Sequence, residues 1–193
     1  MRTLCKLLFE IVIILLITSK GGIVMAITTT SGHCLKALAF YNNTNLYFGV
    51  GRQTAWADEN TPDVPSISIT CIEDPLGFKK IDSKYLVVPD VNGTIMYDDG
   101  STWSIVSPSD IYTKGAKWVY VSCSIKSTEL PLNSYRQVGI LLNLVVSDSA
   151  YANNSVLLPS QVSSQGTLYL VDNKVETVRK LNQKEILSFI IEF

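Results

Sequence analysis

The alternation of apolar and polar positions falls into many short segments separated by turn residues, a pattern that predicts strands rather than helices. The stretch Leu46-Tyr47-Phe48-Gly49-Val50-Gly51-Arg52-Gln53-Thr54-Ala55-Trp56 organises the rest. Leu46 to Val50 has the aromatic and β-branched content of a core strand. Its glycines allow close backbone approach, and the polar run Ala57 to Pro62 ends pairing. Before it, Ser31 is the expected cap of a short helix carrying Cys34, Leu35, Leu38 and Ala39 on one apolar face, ended by Phe40 to Asn43. After it, Ser66 to Asp74 alternates as a strand would, although a helix following Pro62 and Pro65 fits as well.

Gly77 to Ile81 and Tyr85 to Pro89 are strand-like. Thr94 to Tyr97 and Thr102 to Val106 flank Asp98-Asp99-Gly100, a strong hairpin turn signal. A short irregular or helical piece begins at Pro108. Lys117 to Ile125 alternates Trp118, Tyr120 and Ser122 with Val119, Val121 and Cys123, giving a strand with two usable faces. Tyr135 to Val145, entered by Arg136 and Gln137, is the longest apolar strand candidate, followed by a loop from Ser147 to Asn154 and an extended piece at Val156 to Pro159. Gly166 to Val171 predicts another strand, Asp172-Asn173-Lys174 a turn, and Val175 to Leu181 the segment after it. Lys184 to Phe193 reads as a closing strand tied into a sheet. The fold class is therefore mainly β, an antiparallel β-sandwich with one short N-terminal helix and minor helical pieces.

Residues 27–193 are expected to form a single domain, and residues 1–26 a hydrophobic leader or upstream-start extension. Arg2 and Lys6 precede an apolar run from Leu7 to Ile17, broken by Glu10, with Val24-Met25-Ala26 as a small-residue cleavage pattern. The run is shorter than the roughly 20 apolar residues of a membrane span, so no membrane is expected for the main domain. A signal peptide, a start at Met25 and an arm packing on a neighbouring subunit all fit.

The 16 Lys and Arg against 17 Asp and Glu leave a net charge of -1, with no electrostatic footprint for nucleic acid. The four cysteines lack CxxC spacing, and of the three outside the leader at least one must stay unpaired in a monomer, as in a reducing compartment. No phosphate loop, GxSxG elbow or HExxH pair is present. The lone His33 stands beside Cys34 without other ligands nearby. Asp98-Asp99-Gly100 lacks the spaced ligands of a calcium loop. Asp58 and Glu59 are adjacent loop acids, expected to be solvated rather than to face each other across a catalytic cleft. Asn42, Asn92 and Asn153 begin glycosylation patterns that are common by chance. No enzyme activity and no cofactor are expected. Arg52, Trp56, Arg136 and Gln137 remain as interface or strand-end anchors, Arg and Trp being enriched at interfaces.

Read together, Phe40-Tyr41-Asn42, Phe48-Gly49-Val50-Gly51-Arg52 through Trp56, Tyr135-Arg136-Gln137-Val138, and Gly166 to Phe193 resemble the baseplate wedge protein of contractile-tailed phages, the gene product eight type of the T-even phages, in a shortened version. Their order and spacing, from about Thr28 to the end, carry the resemblance. It implies a β-sandwich of the virion's tail baseplate, assembled in the host cytoplasm, without a catalytic site. The partners it implies are other wedge subunits and a second copy in a homodimer. The leader is not part of the family pattern, which favours the upstream-start or arm readings over secretion. Two further classes stay open. One is a secreted or surface β-sandwich binding carbohydrate or a receptor through Tyr47, Trp56, Trp103 and Trp118; the other is a hydrolase using Asp58 or Glu59.

Overall fold

A computed structural model describes residues 26–193, so the leader expected over residues 1–26 lies outside the described residues but for Ala26. The order is helix α1 (Thr30–Asn42), β1 (Leu46–Gly51), an irregular segment 52–76, then β2 (Gly77–Lys80), β3 (Ser83–Pro89), β4 (Ile95–Met96) and β5 (Thr102–Val106). The short helix α2 (Ile111–Lys114) precedes β6 (Trp118–Ile125) and β7 (Ser134–Leu142). Next come β8 (Val145–Val146), β9 (Val156–Leu157), β10 (Val162–Ser164), β11 (Thr167–Val178) and β12 (Glu185–Glu192). The first sheet has the order β11-β7-β1-β2-β9 and the second β12-β6-β3-β5-β4, while β8 and β10 form a separate pair. All the pairings are antiparallel, so the predicted sandwich architecture holds.

β1 lies in the middle of the first sheet and all six of its residues are buried. Alternation explains how both faces are used. Leu46, Phe48 and Val50 join Val138 and Ile140 of β7 in the main core, opposite Leu86, Val119, Val121, Cys123 and Leu187 of the second sheet. Phe48 stacks on Phe189 of β12 with ring centroids 5.8 Å apart. Tyr47 faces the other way, into a smaller core with Ile72, Phe78, Leu141, Leu144 and Leu157. β6 alternates throughout, with its odd-numbered residues buried and its even-numbered ones half-buried, as its sequence predicts. The hairpin β4–β5 also forms, with Gly100 at φ 82° in the turn.

Several expectations are corrected. The cap of α1 is Thr29, whose hydroxyl accepts from the Gly32 amide at 3.2 Å, and not Ser31. The buried face is Cys34, Ala37 and Phe40, with Leu38 packed against it, while Leu35 is 58% exposed. Ser66 to Asp74 is neither strand nor helix. Tyr135 to Val145 forms an apolar strand that is shorter than expected: β7 stops at Leu142, where Asn143 turns left-handed at φ 58°, while the longer β11 is a polar strand. Asp172-Asn173-Lys174 makes no turn and lies inside β11. Pairing with β7 overrides the local turn preference there. A bulge absorbs the extra chain, since Asn173 pairs with Gln137 and Thr177 with Tyr135.

Candidate functional site

The four anchors singled out in the sequence are brought together where the chain leaves β1. Arg52, at φ 54°, turns the backbone out of the strand, and its amide donates to the Glu73 carbonyl at 2.5 Å. Its guanidinium pairs with the Glu73 carboxylate and lies 3.7 Å from the centre of the Trp56 ring, a cation–π contact. Trp56 is buried and its indole N–H donates to the Lys174 carbonyl of β11 at 2.8 Å.

Arg136 enters from β7 and directs its donors to segment 52–76 and to β11. Nε donates to both Glu59 carboxylate oxygens at 2.8 and 2.9 Å, Nη1 to the Gln53 carbonyl at 2.8 Å, and Nη2 to Glu176 of β11 at 2.9 Å. Gln137 accepts from the Glu73 amide at 2.8 Å and donates to Asn173 Oδ1 at 2.9 Å. Asn173 donates in turn to the Asp63 carbonyl at 2.8 Å. These bonds form a clasp across β1, β7 and β11 that holds the irregular segment 52–76 against the first sheet.

The clasp fixes the electrostatics. The hydrogen bonds from Arg136 hold the Glu59 carboxyl below its ordinary value, against the opposing effect of desolvation, and the same bonds raise Arg136. Asp58 is lowered too, chiefly by the Asn60 amide and then by the Thr61 hydroxyl, as in a local Asx turn. Glu59 is therefore not the freely solvated loop acid expected, because Arg136 reaches it from the neighbouring strand. Its carboxylate is occupied as an acceptor from Arg136.

The steric half of the anchor is Ile72. A side chain at Gly49 would lie 2.8 Å from Ile72 Cγ1, one at Gly51 2.5 Å from its Cγ2, and one at Gly139 2.8 Å from its Cδ1. Gly49 and Gly139 are direct partners across β1 and β7, so three glycines floor a socket that Ile72 fills. Gln165 closes it from above, accepting from the Ile72 amide at 2.8 Å and donating to its carbonyl at 3.1 Å. Sequence reasoning found the two glycines of β1, and Glu59 only as a loop acid without its partner Arg136, but not Ile72, Gln165 or Glu176. The signal for the socket was a third strand glycine, Gly139, framed by apolar residues.

Of the four aromatic residues considered for ligand stacking, Tyr47 and Trp56 are buried, which removes them from any open stacking surface. Trp103 and Trp118 are half-buried and pack edge to face at 5.7 Å. Among the described residues no group of three or more His, Cys, Asp or Glu is placed to hold a metal ion. Among them, too, no helix is long and apolar enough to cross a membrane.

Comparison with known proteins gives the same direction. The chain is 29% identical over 161 residues to Virion protein 3 of Enterococcus phage phiEF24C, an alignment spanning 80% of this chain and 88% of that protein. Residues 25–193 match the family model described as baseplate wedge 3 tail fiber network component. The chain belongs to that family, and is a structural protein of the phage virion located in the tail baseplate.

Proposed function

We propose that this chain is a wedge subunit of a contractile tail and that it works entirely through contacts, with other wedge subunits and with a second copy of itself. The observation that carries this is the family match over residues 25–193, and the clasp supplies the shaped surface such contacts need. Arg136 and Gln137 are buried and direct their polar atoms at groups within the subunit, all of them backbone or carboxylate and amide partners on segments 53–73 and 173–176. Such an arrangement fixes the shape of an irregular surface segment and leaves no nucleophile or base poised beside it. Arg52 and Trp56 serve the same end as strand-exit anchors, so their part in assembly is to hold the contact surface rather than to form it.

Depletion of the chain during infection, followed by electron microscopy of the particles, tests the reading. Tails whose baseplates lack the wedge layer, restored by supplying the intact chain, are the expected result. Complete baseplates formed without it would overturn the assignment.

A further inference from the structure

β11 is the outer strand of the first sheet, and its 12 residues would present a long edge open to pairing with another chain. The segment 62–71 lies along it as a strap. Asn173 holds the Asp63 carbonyl at 2.8 Å, and Ser66, Ile67 and Ile69 share a depression of about 150 Å³ with Leu168 to Val171. Pro62 and Pro65 lack amide donors, so the strap covers the edge without becoming a new strand. Val64, 90% exposed, and Ile67, completely exposed, project from it among the exposed polar residues Asp63, Ser66, Ser68 and Thr70.

On the other side of Tyr169 lies an apolar groove of about 350 Å³, walled by Phe40, Leu142, Tyr169 and Phe193 with Lys36 at its rim. The three rings touch one another, with centroids 5.1, 5.2 and 5.9 Å apart, so the walls are packed in place. Tyr169 lines both the groove and the depression beside the strap. Knob and groove therefore adjoin across Tyr169, so a two-fold partner can engage both at once. Their charges are opposite as well, with the exposed Asp63 beside the knob and Lys36 beside the groove.

We propose that a second copy of this chain docks on this face, Val64 and Ile67 of each copy filling the Phe40–Tyr169–Phe193 groove of the other. The proposal rests on the reading above that the chain associates with its own copy, and it assigns the surface. Sedimentation equilibrium of the full chain tests it, comparing the native protein with Ile67→Asp. Because Ile67 has no packing to lose, the variant should melt at the native temperature while its dimer dissociation constant rises at least about tenfold. In a second measurement, Ile67→Cys protein is mixed with Ala39→Cys protein, both also carrying Cys5→Ser and Cys71→Ser, and oxidised with copper phenanthroline. A disulfide between position 67 of one chain and position 39 of the other is expected. A native chain that stays monomeric at all concentrations would overturn the self-association itself. A dimer that Ile67→Asp leaves intact, with no 67-to-39 disulfide, would overturn this surface and leave self-association standing. A groove shielded only when another baseplate protein is added would overturn the second copy as its occupant.

Discussion

Two buried arginines hold irregular chain in this protein, and they do so differently. Arg179, just beyond β11, has a side chain only 1% exposed and gives three of its bonds to backbone carbonyls: Leu130 at 2.6 Å, Pro131 at 2.9 Å and Lys126 at 2.9 Å. Its fourth goes to Glu185 at 2.8 Å, itself bound by the Tyr135 hydroxyl at 3.1 Å. Arg136 instead gives most of its bonds to the carboxylates of Glu59 and Glu176, which are 38% and 43% exposed. Remove Arg179 and the buried Leu130 carbonyl loses its donor while Glu185, only 16% exposed, loses its partner; remove Arg136 and its carboxylates can turn to solvent. The first is a structural tie of the core. The second is a clasp whose loss frees a surface segment.

The largest expected effect is therefore Arg179→Ala, which should cost about 3–5 kcal/mol in denaturant unfolding, the range for breaking a buried ion pair from one side. Next comes Ile72→Ala. Emptying the glycine-floored socket should cost about 2–5 kcal/mol, as for other large-to-small changes at fully buried positions. It would show how much of the strap's hold is steric. Arg136→Ala should lower global stability less than Arg179→Ala, while hydrogen exchange across residues 53–73 accelerates more than in the β6–β12 pair. Equal exchange in both regions would erase the distinction between tie and clasp.

The smallest effect is one of pH. Glu59 is held below its ordinary value of 4.5 in the folded chain, so its contribution is complete above that value and is lost as the pH falls through the lowered one. Glu59→Gln should therefore be less stable than the native chain at pH 7, with the gap closing as the solution is acidified below about pH 4.5. A gap that persists unchanged into acid would show that Glu59 acts by shape alone.

The strands were legible wherever apolar alternation or a turn signal acted locally. β6 and the β4–β5 hairpin follow from their own residues, and β1 was recognisable as the centre of the fold from its content and exit. Arg52, Trp56, Arg136 and Gln137 could be anticipated as strand-end anchors but not as a cluster or in their partners, because Glu59 and Glu73 lie on segment 52–76 and Glu176 on β11, which only the sheet order brings beside β7. Segment 52–76 was opaque for the same reason: its hydrogen bonds go to Gln137, Gln165 and Asn173 side chains from far along the chain, and no periodicity records them. Asp172 to Lys174 misled because a turn-forming triplet was overruled by pairing with β7. Arg179 gave no sign of burial, standing next to Lys180 and before the polar run Asn182 to Lys184.

The clasp is proposed to present residues 61–70 for contact in the assembled baseplate. Hydrogen exchange read by mass spectrometry, on the free chain and on intact particles, tests it most directly. Protection that rises across residues 61–70 on assembly, beyond any rise in the β2 and β9 region, is the predicted result. Exchange over residues 61–70 that is the same in particle and free chain would contradict the account.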